Sequence, residues 1–179
     1  MRVVGGRLGG RRLIAPRGRG TRPTPERVRE ALFSILGSVD DLRVLDLFAG
    51  SGALGIEAVS RGAAALTLVD SSRAAVEAIR RNLEALEVSA EVRNQPALGF
   101  LLQAREERRE YDLVFLDPPY GETLRLGPPL SAALVPVLAT GATVVFESDR
   151  RAPGELSLRR VDERRYGDTL IRIYANAPS

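Results

Sequence analysis

Four consecutive residues, Asp117, Pro118, Pro119 and Tyr120, carry the groups best suited to chemistry in this chain. They follow an apolar run at residues 113–116, so they are expected at the carboxyl end of a strand, where open α/β sheets bind ligands. The two prolines restrict the backbone and can aim one carboxylate and a carbonyl at a common point. An aromatic ring beside them can stack on a flat base while these acceptors hold an amine. An ordinary proline-rich turn is the competing interpretation, and a second motif weighs against it.

The second motif lies upstream, where an apolar strand at 42–47 leads through Gly50, Gly52 and Gly55 into a helical pattern. A glycine-rich turn at a helix start lets a ligand approach the backbone N–H groups closely. The spacing of these glycines, with Asp70 at the end of the next strand, matches the dinucleotide fingerprint. A nicotinamide-dependent oxidoreductase is therefore one interpretation of this motif.

Two observations favour a different cofactor. Asp46 ends the strand before the glycines, where a carboxylate repels a pyrophosphate but suits an amine-bearing cation such as the methionine part of S-adenosylmethionine. The chain also has no histidine, cysteine or lysine, which removes the commonest proton donors for a carbonyl or alcohol substrate. Asp70 suits either cofactor, because a carboxylate can accept hydrogen bonds from both ribose hydroxyls. It could instead cap the helix that begins near Ser72.

The two motifs, DLFAGSGALGIEA and DPPY, resemble those of the class I S-adenosylmethionine-dependent methyltransferases that modify exocyclic amines. The first 36 residues and the ending RRYGDTLIRIY are similar to the RsmD family of bacterial 16S rRNA guanine-N2 methyltransferases. The resemblance covers essentially the whole chain. It implies a Rossmann-like α/β fold, with a mostly parallel seven-stranded sheet, helices on both faces, an antiparallel last strand and a small N-terminal basic hairpin.

The resemblance also implies roles for individual residues. Asp117 and Pro118 would accept hydrogen bonds from the guanine amine, and Tyr120 would stack on the base. Cofactor contacts are expected at Asp46, Phe48, Ala49, Gly50, Ser51, Gly52, Asp70, Ser71, Pro96, Ala97 and Asp117. Contacts with RNA are expected at Arg7, Arg11, Arg12, Arg22, Arg27, Pro119 and Tyr120. The base must be flipped out or unpaired to reach such a pocket.

Two of these roles stay open at the level of sequence. Asp117 either takes the proton that the amine releases or leaves it to water, because an ordinary carboxylate is a weak base. Pro96 stands where methyltransferases of this type usually place an acid that meets the adenine. Adenine recognition would then depend on backbone groups, on Asn94 or Gln95, and on apolar packing.

Charge separates the first 29 residues from the rest of the chain. They hold nine arginines and one acid, whereas the other 150 residues hold 17 arginines and 22 acids. This asymmetry predicts a nucleic-acid-binding arm whose affinity depends on salt, and a disordered basic tail is the alternative. Four apolar residues could pair as a hairpin and argue against a tail: Val3, Val4, Leu13 and Ile14. We therefore expect an RNA-binding extension at 1–24 and a methyltransferase domain at 25–179.

Hydrophobic periodicity predicts the elements that position these groups. Helices are expected at 25–36, 53–61, 72–86, 97–107 and 128–138, strands at 42–47, 65–70, 88–93, 111–116 and 142–147, and a terminal hairpin at 156–164 and 169–175. Thr24 is the expected N-cap of the first helix, with Pro25 at its first position. Its buried face is expected to contain Val28, Ala31, Leu32, Ile35 and Leu36.

Composition narrows the classes of function. Without cysteine or histidine, neither a disulfide nor a zinc site is expected, and we expect no metal. No apolar stretch reaches the length of a membrane span, so we expect a cytoplasmic protein. The resemblance implies that it acts on 16S rRNA in the small ribosomal subunit or its assembly intermediate, and we expect it to be a monomer. The alternatives are an N6-adenine or glutamine-amide methyltransferase, a NAD-dependent oxidoreductase, and a non-catalytic RNA-binding assembly protein.

Overall fold

The structure is a computed structural model that describes residues 1–16, 24–119 and 121–176. The strands of this part of the chain are β1 (Arg43–Asp46), β2 (Ala65–Asp70), β3 (Glu91–Asn94), β4 (Tyr111–Leu116), β5 (Leu138–Asp149), β6 (Arg159–Tyr166) and β7 (Thr169–Ala175). Its α-helices are α1 (Glu26–Leu36), α2 (Ala53–Ser60), α3 (Arg73–Leu86), α4 (Ala97–Glu106) and α5 (Thr123–Leu134). Short 3-10 turns lie at Gly6–Leu8 and Val135–Val137.

The strands form one sheet in the order β3-β2-β1-β4-β5-β7-β6. β1 to β5 are parallel, and β7 pairs antiparallel with both β5 and β6. This confirms the predicted mostly parallel seven-stranded sheet with an antiparallel last strand. The chain moves from β1 outward to β2 and β3, then returns to β4 on the other side of β1. Such a reversal opens a crevice at the carboxyl ends of the two central strands.

Helices cover both faces of the sheet, which explains why its central strands are apolar throughout. On one face, Phe33 of α1, Ile56 of α2 and Ile79 of α3 belong to a single buried cluster. On the other face, Phe100 of α4 and Leu130 of α5 belong to a second cluster. The sheet is therefore held from both sides, and its carboxyl edge is fixed relative to the helices that begin there.

The N-terminal segment, which we define as residues 1–16, folds back on itself and packs on the first face. Val3 donates a backbone hydrogen bond of 2.9 Å to Arg11, and Leu13 donates one of 2.9 Å to Met1. Val3, Leu8 and Leu13 are buried in the same cluster as the helices of that face. The segment thus forms a small hairpin whose apolar side is part of the core.

The prediction for the first helix was wrong in two respects. Thr24 does not cap α1: the N-cap is Pro25, without a side-chain hydrogen bond, and the Thr24 hydroxyl bonds a carboxylate of β5 instead. The buried face includes Arg29 and Phe33, whereas Ile35 is 37% exposed. The difference arises because the N-terminal segment covers part of α1. Its contacts with the helix include a hydrogen bond from the Arg29 guanidinium to the Arg2 carbonyl.

The fifth helix begins earlier than the predicted range of 128–138. Proline is favoured in the first turn of a helix. Pro128 and Pro129 lie instead inside α5, whose first backbone bonds include Leu126 N–H to Glu122 O at 2.9 Å. The helix therefore starts at Thr123, a few residues after the Asp-Pro-Pro motif, and brings its first turns to the carboxyl edge of the sheet.

The boundaries of three strands also differ from the prediction, and one of them is β6, which was expected at 156–164 and lies at Arg159–Tyr166. Val88 does not start β3, because its N–H bonds the Leu83 carbonyl at 2.9 Å and so closes the end of α3. β5 is longer than the predicted 142–147: it begins at Leu138, which pairs with Tyr111 before a register shift. None of these differences changes the strand order or the positions of the strand ends that carry acids.

Candidate active site

A cavity of about 550 Å³ opens at the carboxyl ends of β1, β2 and β4. Its wall brings together residues from both sequence motifs, from the N-terminal segment and from the start of α5. Ten of the eleven expected cofactor residues line it: Asp46, Phe48, Ala49, Gly50, Ser51, Asp70, Ser71, Pro96, Ala97 and Asp117. Pro118 and Pro119 line it as well, while Tyr120 lies outside the described residues.

Gly52 is the expected cofactor residue that does not line the cavity. It is the N-cap of α2 and has a φ of 79°, in the left-handed region that favours glycine. A Cβ built there would meet Ile56 and Ile79 at 3.3 and 3.5 Å. Gly52 thus determines the conformation of the loop and does not itself line the cavity.

The loop at residues 49–52, which we call the glycine loop, is fixed by Asp70. The Gly50 N–H donates to Oδ2 of Asp70 at 2.9 Å, and the Ser72 N–H donates to Oδ1 at 2.8 Å. Each carboxylate oxygen accepts one backbone hydrogen bond and keeps acceptor capacity for a ligand. The carboxylate therefore holds the loop and can also accept from hydroxyl groups in the cavity.

Asp46 is almost fully buried, at 2% exposure, at the base of this loop. Burial raises its pKa to about 7, and the negative charge of Asp70 adds to the rise. Backbone N–H groups of Gly55 and Phe48 oppose it, with the Gly55 bond at 3.3 Å. A carboxyl group with this pKa is about half ionised at neutral pH, and a cation in the cavity would favour the ionised form.

Asp117 lies beside Glu147 because Leu116 of β4 pairs with Phe146 of β5. Burial raises the pKa of Asp117 well above its usual range, and the negative charges of Glu147 and Asp46 raise it further. The expectation of an ordinary, weakly basic carboxylate is therefore wrong at this position. A carboxyl group with a raised pKa is a better proton acceptor once it is ionised.

The side of the cavity where adenine was expected is apolar. Pro96, Ala97 and Leu98 line it. Asn94 does not, and its amide donates to the Asp70 carbonyl at 2.9 Å. The Gln95 amide reaches Gln103 at 3.4 Å. Asn94 and Gln95 were two of the options for holding the adenine, but both of their amide groups bond to other residues of the protein. Apolar packing and backbone groups remain as the options.

Sequence reasoning missed three groups of residues around this cavity. The N-terminal segment and α1 entry contribute Met1, Ala15, Pro16 and Thr24, and α5 contributes Glu122, Arg125, Leu126 and Leu130. Glu147 lies behind Thr24 and beside Asp117. A signal for Glu147 was present in the sequence, since it ends the apolar run VVF as Asp46 and Asp117 end theirs.

Among the arginines expected to contact RNA, the four that the structure describes do not line the cavity. Arg7, Arg11, Arg12 and Arg27 are exposed, and Arg22 lies outside the described residues. The Arg11 guanidinium donates to the Ala85 carbonyl at 2.7 Å, at the end of α3. Within residues 1–16, 24–119 and 121–176, no carboxylate forms an ion pair with these four exposed arginines. Their charges are available to a polyanion.

Comparison with known proteins shows similarity along the whole chain. A family model described as Conserved hypothetical protein 95 matches residues 1–175. A protein of Bacillus subtilis (strain 168) named Putative rRNA methyltransferase YlbH is 37% identical over 187 residues, covering 97% of this chain and 98% of that protein. The Ribosomal RNA small subunit methyltransferase D of Escherichia coli (strain K12) is 45% identical over 122 residues, 67% of this chain and 60% of that protein. The matched part thus spans about 60% of the Escherichia coli relative.

Solved structures agree with this similarity. One described as Putative methyltransferase yhhF from Escherichia coli superposes with a TM-score of 0.85 at 36% identity, covering 100% of this chain and 99% of that one. A hypothetical protein of Thermus thermophilus gives a TM-score of 0.83 at 30% identity, covering 97% of this chain and 98% of that one. A protein described as a methyltransferase, SMU.776, complexed with SAH shares only the fold, at 17% identity and a TM-score of 0.64 over 83% of this chain and 48% of that one.

Membrane spans and metal clusters are both missing from the described part of the chain. None of its helices is both long and apolar enough to cross a membrane. Its acidic side chains, in a chain without histidine or cysteine, form no group of three or more that could hold a metal ion. Besides carboxylates, backbone groups and apolar surface, the described residues offer the cavity the Arg125 guanidinium and the hydroxyl groups of Thr24, Ser51, Ser71 and Ser72.

Proposed function

The chain belongs to the RsmD family, and from that premise we propose that it transfers the methyl group of S-adenosylmethionine to the exocyclic N2 amine of a guanine in 16S rRNA. One observation carries the proposal: Asp46 and Asp117, the acids of the two motifs, line a single cavity together with Asp70. These three acids suit a cofactor that carries cationic groups and a ribose, and the apolar part of the cavity suits its flat base. The pyrophosphate of a nicotinamide cofactor would instead be repelled by the Asp46 carboxylate.

Different residues of the cavity suit the methionine part, the ribose and the adenine of S-adenosylmethionine. Asp46 is suited to the charged methionine part, because a cation favours the ionised form of a carboxyl group whose pKa is raised by burial. Asp70 is suited to the ribose hydroxyls, since both of its oxygens are held in place by backbone N–H groups. Ala97 and Leu98 offer apolar surface to the adenine. When bound, S-adenosylmethionine supplies an electrophilic methyl group.

Asp117 and Pro118 are the residues that would act on the base. The N2 amine of guanine is a poor nucleophile because its lone pair is shared with the ring. The Asp117 carboxylate and the Pro118 carbonyl would accept its two hydrogens and stabilise the positive charge that develops on nitrogen, an effect of a few kcal/mol per group. The raised pKa of Asp117 also suits it to take the released proton, although release to water is the alternative.

The RNA would be bound by the exposed arginines of the N-terminal segment. Arg7, Arg11 and Arg12 project from a hairpin that is packed on the protein core, so their positions relative to the cavity are defined. The relatives named as ribosomal RNA methyltransferases support ribosomal RNA as the substrate. The proposed partner is 16S rRNA in the small ribosomal subunit or its assembly intermediate, bound by a monomer.

Methylation by the purified protein tests this function directly. Tritiated S-adenosylmethionine would be offered with small subunits, naked 16S RNA, 23S RNA and DNA, all from cells that lack the gene. Nucleoside digestion would then identify the labelled base, with D117A, which removes the acceptor, as the inactive control. Label in N2-methylguanine of small-subunit RNA is the expected result. Label in N6-methyladenine would keep the pocket and overturn the substrate, and no label with cofactor still bound would favour a protein substrate or a binding role.

A further inference from the structure

Asn82 of α3 connects the N-terminal segment to the glycine loop through its side chain. The amide nitrogen donates to the Ile14 carbonyl at 2.9 Å and to the Ser51 carbonyl at 2.8 Å. The amide oxygen accepts from the Ile14 N–H at 2.7 Å. Asn82 is 1% exposed, so its amide depends on these protein partners for its hydrogen bonds. One buried side chain thus binds both the N-terminal segment and the glycine loop.

The three bonds determine the orientation of this amide. Both donors face carbonyl groups and the oxygen faces an N–H, so a flipped amide would place like groups against each other. Ile14 is bonded through its N–H and its carbonyl, as it would be by a neighbouring strand. The chain that follows, Ala15 and Pro16, enters the wall of the cavity. The Asn82 amide therefore joins the hairpin at Ile14 directly to the glycine loop at Ser51.

One other attachment of the hairpin reaches the glycine loop, since the Ser51 hydroxyl donates to the Met1 sulfur at 3.7 Å, whereas the attachments to α2 do not involve this loop. Glu57 of α2, fully buried, accepts from the N–H groups of Val4 and Gly5, each at 2.7 Å. Ser60 accepts from the Leu8 N–H at 2.9 Å and donates to the Gly5 carbonyl at 2.5 Å. These bonds hold the hairpin on α2. Asn82 differs from Glu57 and Ser60 because one of its bonds reaches the backbone of the glycine loop.

We propose that Asn82 is a positioning residue that sets the glycine loop for the cofactor and couples cofactor binding to RNA binding on the N-terminal segment. The coupling rests on the proposed function, since it requires RNA to bind that segment. RNA on the hairpin favours the docked arrangement of Ile14, and the docked arrangement places Ser51 for the cofactor. Because such coupling is reciprocal, each ligand strengthens the other by the same factor, about 5- to 150-fold in typical cases.

The substitution Asn82→Asp tests this role with little change in volume. It keeps the acceptor for the Ile14 N–H and removes both donors, so the Ser51 carbonyl loses its partner. Ser60→Ala is the matched control, because it removes two bonds of the hairpin and none of the glycine loop. The dissociation constant of S-adenosylhomocysteine, measured by calorimetry without RNA, should rise at least about fivefold in N82D and less than about twofold in S60A.

The coupling is measured in a second experiment. RNA affinity of the wild-type protein should tighten at least about fivefold with saturating S-adenosylhomocysteine, and N82D should lose this response while S60A keeps it. Wild-type cofactor affinity in folded N82D, or an equal loss in S60A, would overturn the positioning role. Where N82D fails to fold, Asn82→Ser, which keeps a donor hydroxyl, takes its place. Weakened cofactor binding in N82D together with unlabelled RNA in the wild type would overturn the proposed function and support the positioning role.

Discussion

The hydroxyl of Thr24 donates a hydrogen bond of 2.9 Å to the carboxylate of Glu147, although the two residues lie 123 positions apart in the chain. Both side chains are buried. Thr24 lines the cavity just before α1, and Glu147 stands on β5 next to Asp117. This bond therefore fixes the entry to the first helix against the strand that neighbours the proposed catalytic acid.

Thr24→Val should destabilise the protein more than its small change in shape suggests. It removes the donor and leaves a buried carboxylate oxygen without that bond, which costs about 1–3 kcal/mol. Thr24→Ser keeps the hydroxyl and should cost less than half as much. The free energy of unfolding, measured in urea for both variants, checks this expectation. A loss in T24V no larger than that in T24S would contradict a stabilising role for the hydroxyl's hydrogen bond.

Glu147→Gln should lower the pKa of Asp117. Burial is the main cause of the raised pKa and remains, but the negative charge of Glu147 is its second cause and is removed. Because Asp117 must be ionised to accept from the amine, the acidic limb of the rate profile should move to lower pH. Glu122→Gln is the control, since Glu122 lines the cavity and does not contribute to that shift. An acidic limb that stays in place in E147Q would contradict the assignment.

Cofactor affinity should depend on pH through Asp46. Its pKa is about 7 in the free protein, so only the fraction ionised at a given pH is ready for a cation. If binding requires the ionised form, affinity for S-adenosylmethionine should rise about tenfold from pH 6 to pH 8. Calorimetry should also detect proton release on binding. In D46N the affinity should be lower and its pH dependence should disappear, and an unchanged pH dependence would point to a different group.

The same raised pKa has a consequence for stability. The folded state of the free protein binds a proton at Asp46 more tightly than the unfolded chain, whose carboxyl keeps its usual value near 3.8. The contribution of Asp46 to stability is therefore greatest at low pH and is lost as pH rises through about 4 to 7. Thermal unfolding of D46N relative to wild type should show a gain that grows over this range. A gain that is constant with pH would exclude this linkage.

The acids at the strand ends show how much of the site the sequence could predict. Asp46, Asp70 and Asp117 each follow an apolar run, and parallel strands bring their carboxyl ends to one edge, so their convergence on one cavity follows from pattern alone. Glu147 has the same signal. The partners of the N-terminal segment had none: the bond between Ile14 and Asn82 joins residues 68 positions apart. Periodicity describes which face of an element is buried, not which distant polar group meets it.

Deleting the first 20 residues cannot test RNA binding, although their charge suggests that experiment. Val3, Leu8 and Leu13 belong to the core, and Glu57 and Asn82 would lose buried partners. Loss of RNA binding would then report unfolding. Removing charge while keeping the hairpin avoids this, because Arg7 and Arg12 are exposed and form no ion pair with the described residues.

The double variant R7Q/R12Q should weaken RNA binding and reduce its dependence on salt. Each phosphate of a single strand that is no longer neutralised by an arginine lowers the slope of log affinity against log salt by roughly 0.7, so two such phosphates predict a change of about 1.4. R164Q/R165Q on β6 is the matched control, because those exposed arginines are already paired with Asp162 and Glu163. The slope of this control should stay near the wild-type value. If both double variants reduce the slope equally, the RNA is attracted by net charge alone, and the N-terminal segment has no special part in binding it.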